Sequence, residues 1–268
     1  MRGERADAVD LRLRRGVGSV LVPVRGLGTG AWMVARAGRG MWGRWSARDP
    51  LVVPALARDL AGFLWGPLPT LVALSLLTGL IAGISAARVL SLYHAELLVI
   101  RALIDALLRQ ILPLVIGVFA ASGVAVAVAT RLAAMRLQRE IDALETMGHD
   151  PVPFALGTPV VAVLAAVPVH VAVSAVAALL GAGVPLASGA NVPWRTIIAL
   201  ATAQPALAAL ATGMVKVALF ALAALVVGAA SGTRAVATPA ELSAVGSRAF
   251  TAGLVSVFAL AAAWTVLA

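Results

Sequence analysis

Cysteine is absent from this sequence of 268 residues. Its absence excludes a disulfide framework, a thiolate nucleophile and any metal site built on sulfur ligands. Histidine is scarce as well: His94, His149 and His170 lie far apart, and no cluster of His, Asp and Glu has the spacing of metal ligands. We therefore expect no resident metal ion, no bound cofactor and no acid–base active site in this chain.

Charged residues are also few. They make up 12% of the sequence, whereas about a quarter of the residues of an ordinary soluble domain are charged. Hydrophobic residues make up 61%, and the mean hydropathy is +0.99. Several apolar runs reach the length of about 20 residues that a helix needs to cross the hydrocarbon core of a bilayer. The composition therefore predicts an all-α integral membrane protein with several crossings.

The chain has no G-x-x-x-x-G-K-[ST] loop for nucleotide phosphates, and its one lysine, Lys216, lies in Gly-Met-Val-Lys-Val-Ala within an apolar run. Any ATP hydrolysis must then take place on a partner. An ion-coupled secondary transporter is an alternative, but such proteins usually carry acidic residues in mid-membrane. The third, fourth and fifth apolar runs have none.

The formal net charge of +9 is concentrated at the amino-terminal end. Acidic residues there, among them Glu4, Asp7 and Asp10, are far fewer than arginines. Basic residues beside a first membrane span favour anionic headgroups and a cytoplasmic position rather than a nucleic-acid partner. We predict a basic cytoplasmic tail over residues 1–16. The arginines before residue 63 are Arg2, Arg5, Arg12, Arg14, Arg15, Arg25, Arg36, Arg39, Arg44, Arg48 and Arg58.

Residues 17–58 mix tryptophan, methionine and aliphatic residues with arginine. The segment is too basic to span a bilayer and too apolar to remain in water, which predicts an interfacial amphipathic helix. Its many glycines leave a partly ordered basic arm as the alternative.

Five membrane spans follow in the prediction. The positive-inside rule places the amino terminus in the cytoplasm and the carboxyl terminus outside. Pro159 and Pro168 are expected to bend the third span, because each removes a hydrogen bond of the helix. The predicted spans are residues 63–87, 97–129, 153–183, 195–230 and 249–268.

A charged segment, residues 131–151, separates the second span from the third. Leu137, Ile141 and Leu144 recur at the spacing of one apolar helix face. Gly148 and Asp150-Pro151 supply a helix end. The segment is either a solvated loop or a coupling helix that docks on a cytoplasmic ATPase through the apolar stripe, with its charges setting the register. The coupling residues on the second reading are Leu137, Arg139, Glu140, Ile141, Asp142, Leu144, Glu145, Gly148, Asp150 and Pro151.

The run Glu140-Ile-Asp-Ala-Leu-Glu-Thr-Met-Gly-His-Asp-Pro151 resembles the MlaE/YrbE permease family, the membrane subunits of Mce-type ABC lipid transporters. The family pattern is E-Q-I-D-A-L-E-x-M-G-x-[DN]-P. Shorter matches are Tyr93-His-Ala-Glu96, Leu108-Arg-Gln-Ile-Leu-Pro113 and Val215-Lys-Val-Ala-Leu-Phe220. The resemblance covers about residues 17–268 and implies that 59–268 form an MlaE-type permease domain.

Several positions depart from the family pattern. Arg139-Glu140 replaces the usual E-Q, and Ser122-Gly123 replaces a usual G-R. Arg131 stands where the family has glutamate, and Pro159 follows Thr158 instead of preceding an arginine. These departures indicate a divergent member.

The resemblance implies an assembly in the bacterial inner membrane: a second permease copy or a paralogue, cytoplasmic ATPase subunits that bind ATP and Mg²⁺, and Mce-domain proteins on the exterior face. The complex would move phospholipid or another lipid between the membrane and the Mce ring. A non-transporting scaffold for that ring is the alternative.

Four residues are candidates for contact with membrane lipid. Tyr93, Arg109 and Gln110 match positions near the lipid cavity of the family. Arg109 has a second interpretation, an ion pair with Asp105 four residues earlier. Lys216 lies roughly 22 Å from the end of its span, which predicts a buried partner or a polar cavity rather than a lipid-facing position.

Overall fold

The computed structural model describes residues 26–93, 96–233 and 238–267. The predicted tail, the first part of the interfacial region (17–25) and His94 lie outside the described residues. All regular structure in the described ranges is helical, and five helical stretches are long and apolar enough to cross a membrane. The all-α prediction is therefore confirmed for these residues, and the number of candidate spans agrees with the predicted five. These stretches are Val52–Leu90, Leu97–Leu137, Pro151–Gly189, Gln204–Gly232 and Glu241–Leu267.

Helix α1, residues 26–46, lies in the region predicted to be interfacial and is amphipathic. Ala37 and Met41 are buried against the rest of the protein, whereas Trp32, Trp42 and Trp45 are exposed. Exposed indole rings beside arginines are typical of a helix at the bilayer surface.

A short turn joins α1 to the next helix. Asp49 accepts hydrogen bonds from the amide of Leu51 (3.0 Å) and from Nε of Arg44 (2.9 Å). The amide hydrogen bond and the guanidinium lower the pKa of the Asp49 carboxyl below its usual value. The turn is therefore held by an ionised carboxylate.

The first candidate span combines α2 (Val52–Trp65) and α3 (Leu68–Tyr93), and so begins before the predicted residue 63. The helix is interrupted between them at Gly66-Pro67, since proline cannot donate an amide to the helix. His170 Nε2 lies 3.2 Å from the Leu64 carbonyl oxygen beside this interruption, which connects it to the third span.

The second span is one helical rod with two π-helical turns. Each π turn widens the helix by one residue, a feature often found at functional sites. The elements are α4 (Glu96–Ala106), π1 (Leu107–Ile111), α5 (Leu112–Phe119), π2 (Ala120–Ala125) and α6 (Val126–Leu137).

Short α7 (Glu140–Thr146) connects this rod to α8 (Pro151–Gly189), which continues as helix through Pro159, Pro168 and Pro185. Glycines let α3 and α8 pack backbone to backbone. A Cβ on Gly79 would clash with the carbonyl of Ala178, and one on Gly181 with the carbonyl of Leu76. Helices in membranes approach closely in this way because small residues allow it.

The predicted fourth span, 195–230, is divided in the structure. Helix α9 (Trp194–Ala201) ends at Thr202, and α10 (Gln204–Gly232) begins after Ala203, whose backbone is extended. Pro205 lies in the first turn of α10, where a missing N–H is tolerated. The long apolar helix therefore begins at Gln204, and α9 lies outside the candidate span.

The last helix, α11 (Pro239–Leu267), begins ten residues before the predicted 249. Its inner residues Val245, Ala249 and Val257 pack on α6 and α10. Val255 and Phe258 on the other side are exposed, so α11 lies at the edge of the bundle and α8 at its centre.

Candidate functional site

The segment between the second and third spans is held at both of its ends. Arg139 starts α7 with a left-handed backbone (φ 58°), which makes the sharp turn out of α6. At the other end Gly148 has φ 75° and donates its amide to the Glu145 carbonyl (3.0 Å), while His149 donates to that of Leu144 (2.9 Å). This pair of bonds is the Schellman motif that ends a helix at glycine. The predicted helix end at Gly148 is confirmed.

The apolar side of α7 faces inward. Leu144 is 9% exposed and packs with Ile141 against the main core. The predicted arrangement had this stripe facing a partner protein. In the structure it faces the chain itself, because the turn at Arg139 folds α7 back onto the ends of the spans. The exposed residues of α7 and its flanks include Arg139, Glu140, Asp142, Glu145 and Met147.

Helix α1 contacts the same region. Arg36 Nε lies 2.7 Å from a carboxylate oxygen of Asp150, and Asp150 also accepts the amide of Val152 (3.1 Å) as the N-cap of α8. A Cβ on Gly40 would overlap Pro153, so α1 lies directly against the first turn of α8. The amphipathic helix and the segment containing α7 are thus joined by an ion pair and by close packing.

A second site surrounds Lys216 in α10, which is only 4% exposed. Its Nζ donates to the carbonyl of Arg109 (2.9 Å) and to Oε1 of Gln110 (3.0 Å), and lies 5.5 Å from the ring of Trp264. Both hydrogen-bond acceptors belong to π1. Pro113 has no N–H to donate to the Arg109 carbonyl four residues earlier, and the lysine donates to that carbonyl. The predicted buried partners of Lys216 are therefore present.

Glycine makes this contact possible. Gly213 lies one turn before Lys216, and a Cβ there would clash with the carbonyl of Leu108. Helix α10 can therefore approach π1 closely enough for the lysine to reach the Arg109 carbonyl.

Arg109 also forms the predicted pair with Asp105. The closest distance, from a terminal guanidinium nitrogen to Oδ1, is 2.9 Å, and Nε lies 3.1 Å from the same oxygen. Both side chains are about half exposed, so the pair is open to its surroundings. The structure thus brings Arg109, Gln110 and Lys216 together. Tyr93 ends α3, and its side chain lies outside the described part.

A cavity of about 600 Å³ lies elsewhere, between α2–α3 and the α5–α6 part of the second span, with α8 and α10 behind it. Its walls are mostly aliphatic and aromatic, and Lys216, Arg109 and Gln110 do not line it. We call this space the lateral cavity. Among the residues that line it are Arg58, Asp59, Phe63, Phe119, Arg131 and His170.

One end of the lateral cavity carries an ion pair that sequence reasoning missed. Both carboxylate oxygens of Asp59 lie near one terminal nitrogen of Arg131, at 3.0 and 3.1 Å, and Thr158 donates its hydroxyl to Asp59 at 2.5 Å. Thr158 is buried, and the Asp59 and Arg131 side chains are 15% and 38% exposed. Arg131 is one of the positions where the sequence departs from the family pattern, and Thr158 adjoins another, Pro159. A lone acid at the start of an apolar run, Asp59, was the available signal.

These helices and sites can be compared with known proteins. The chain is 24% identical over 134 residues to a Rickettsia felis protein named "Probable ABC transporter permease protein". The aligned residues make up 50% of this chain and 52% of that protein. Similarly named proteins of Rickettsia prowazekii (23%) and Rickettsia conorii (24%) match over the same shares. The chain spans about half the length of the curated relatives it matches.

The class that these relatives indicate is an ABC transporter permease. The family model described as "Permease MlaE" matches residues 56–267, nearly all of the described spans. The chain therefore belongs to the MlaE permease family.

Proposed function

We propose that this member of the MlaE permease family moves phospholipid or another lipid between the inner membrane and an Mce-domain protein ring, with ATP hydrolysed by a separate cytoplasmic subunit. The observation that carries the proposal is α7, a short helix fixed at both ends between two spans with its charged side exposed. A partner that moves such a helix also moves the spans that adjoin it.

The exposed residues of α7 suit electrostatic recognition. The exposed Arg136 and Arg139 precede the exposed acidic residues Glu140, Asp142 and Glu145, and charges at the edge of an interface mainly set register and association rate. The buried Ile141 and Leu144 have a different role on this proposal. They hold α7 to the permease core, so that force on α7 reaches α6 and α8 instead of bending a loose loop.

Lipid contact is proposed at Lys216, Arg109 and Gln110, with Tyr93 at the end of α3 as a further candidate. Neutral groups, a carbonyl and an amide, are the hydrogen-bond acceptors of the buried Lys216 cation. A charge inside a membrane is costly without an opposite charge. An anionic headgroup would supply one, and the half-exposed Arg109 beside it would add donors for a phosphate or carboxylate.

The test begins with the ATPase. Full-length tagged protein, purified from its native membrane, is expected to retain a cytoplasmic ABC ATPase and Mce-domain proteins. Glu145→Arg should reduce the retained ATPase several-fold, because it reverses a charge on the exposed side of α7. Arg195→Glu, an exposed reversal at the start of α9 and so at the other end of α8, is the matched control and should not.

The second step is transport. Proteoliposomes with the purified complex should move labelled phospholipid to or from the Mce proteins only when ATP is hydrolysed. Movement driven by an ion gradient without ATP would instead establish a secondary transporter. Retention of Mce proteins without any lipid movement would establish a scaffold.

A further inference from the structure

We propose that the lateral cavity is a second lipid site, separate from Lys216, in which an acyl chain lies along the apolar wall and the lipid's oxyanion binds Arg131. The bound species is an anionic lipid from the surrounding membrane. The inference concerns binding by this chain alone, and it holds whether or not the lipid is then transported.

The donors for the oxyanion are on Arg131. One terminal nitrogen of its guanidinium is used by Asp59. Nε and the other terminal nitrogen form no hydrogen bond within the described part of the chain, and the side chain is 38% exposed. Arginine presents its donors as a planar fork that matches phosphate and carboxylate oxygens.

The local charge has the matching sign. Arg58 and Arg131 line the same end of the cavity as Asp59, which leaves one uncompensated positive charge. Arg58 is exposed and adjoins Asp59 in α2, so it lies within reach of a headgroup at the cavity mouth. An anion would complete the neutralisation that Asp59 begins.

The remainder of the cavity suits a hydrocarbon chain. Phe63, Phe119, Val163 and Val167 are among its lining residues, and about 600 Å³ lies in the usual range of roughly 300–1,000 Å³ for small-molecule sites. Along α8 the lining runs from Pro159 to His170, eleven residues or about 16 Å. The space is therefore elongated parallel to the spans, as an extended acyl chain would be.

The position of Arg131 along the helix bundle also suits an anionic lipid. Arg131 lies six residues before the end of α6 at Leu137, about 9 Å along the helix axis. An oxyanion at Arg131 would lie near one face of the bundle, and the chain would run inward from it. A free anion would gain nothing from the apolar wall, which favours an amphiphile over inorganic phosphate.

The direct experiment uses full-length protein in nanodiscs of neutral lipid. A phosphatidylglycerol probe with a photoreactive group on its acyl chain is added, and cross-linked peptides are identified by mass spectrometry. We expect labelling of α8 between Pro159 and His170 and of α5–π2, with phosphatidylethanolamine carrying the same group labelling these peptides about tenfold less. Equal labelling by the two probes would overturn the proposal.

A third arm distinguishes the source of the oxyanion. A fatty acid with the same photoreactive chain competes if a carboxylate suffices. Competition identifies a carboxylate-tolerant site, and its absence identifies a phosphodiester; inorganic phosphate should not displace the probe in either case. Displacement by inorganic phosphate alone would show that the chain is not bound, and would contradict the proposal.

Three variants separate a lipid site from a structural ion pair. Arg131→Gln should remove the preference for the anionic probe. Asp59→Asn should keep or increase it, since the guanidinium gains free donors. The double variant should lose it without leaving a carboxylate unpaired, which covers the case that Arg131→Gln alone folds poorly. Preference that falls equally in Asp59→Asn and Arg131→Gln would show a purely structural pair.

The apolar part has its own test. Gly123 lines the cavity, and a Cβ on it would meet nothing within 4 Å, so Gly123→Leu fills space without a backbone clash. Gly38 in α1 has the same freedom outside the cavity, and Gly38→Leu is the matched control. We expect labelling of α8 to fall several-fold in the first variant and to persist in the second. Unchanged labelling in Gly123→Leu would overturn the assignment of the chain to this cavity.

Discussion

The Lys216 site and the Arg131 site both involve the second span, yet the positive charge has different partners in each. Lys216 is almost fully buried, and its hydrogen-bond acceptors are a carbonyl and an amide. Arg131 is partly exposed and pairs with the carboxylate of Asp59. An ion pair can hold a structure together without a ligand, whereas a buried cation with neutral acceptors gains most from an anion. We therefore expect the stability of the fold to depend more on Arg131, and we propose that lipid retention depends more on Lys216.

The largest expected effect is in cysteine labelling, because a residue on one side of the membrane reacts with an impermeant reagent only from that side. The chain has no cysteine, so single-cysteine variants have no background. Glu145→Cys, on the side of the bundle nearer Arg131, should react with a membrane-impermeant reagent only from the cytoplasm, and Arg195→Cys only from the exterior. Labelling of Glu145→Cys from outside would invert the predicted orientation and the depth assigned to both sites.

We next expect variants at the Arg131 site and at the Lys216 site to differ in their free energy of unfolding. Asp59→Ala removes the acceptor of Arg131 and of the buried Thr158 hydroxyl, and should lower the free energy of unfolding by about 2 kcal/mol, below the 3–5 kcal/mol of fully buried pairs. Thermal unfolding in detergent measures it. The double variant Asp59→Asn/Arg131→Gln should recover part of the loss; a double variant worse than Asp59→Ala would contradict the paired arrangement.

Lys216→Met is expected to behave in the opposite way. Methionine has a similar length and no charge, and replacing a buried ion by an apolar residue is often neutral, so the free energy of unfolding should change by less than about 1.5 kcal/mol. Co-purified anionic lipid should fall about tenfold, which corresponds to about 1.4 kcal/mol of binding energy. Loss of stability with lipid content unchanged would mean that the lysine is structural.

The smallest stability effects belong to Arg109 and Asp105, since an open ion pair contributes under about 1 kcal/mol. Arg109→Gln should nevertheless reduce the retention of anionic lipid more than that of neutral lipid. Asp105→Asn should leave most of the retention intact, because the counter-charge remains. Similar losses in both variants, uniform across headgroups, would assign Arg109 to the pair alone.

Features set by nearby residues could be predicted from the sequence. Apolar runs of sufficient length identified five spans, and Gly148 with Asp150-Pro151 marked the end of α7, because composition and local backbone preferences decide these. The position of Lys216 far from the end of its apolar run likewise predicted that its charge would have buried partners.

Features that depend on contacts between residues distant in the sequence could not be predicted. The period of Ile141 and Leu144 indicates an apolar face, but it does not say which body covers that face. Asp59 meets Arg131 and Thr158 across 72 and 99 residues of sequence. The π turns also give no signal in apolar sequence, although they decide where the Arg109 carbonyl and Gly123 lie.

The close packing of α3 on α8 has a mechanical consequence. At Gly79 and Gly181 the two backbones approach so closely that no side chain separates them. We expect α3 and α8 to move as one rigid unit, so that relative movement occurs at the boundary between this unit and the second span with α10. The lateral cavity lies along that boundary. We therefore expect a molecule bound in the cavity to limit how closely the two groups of helices can approach each other.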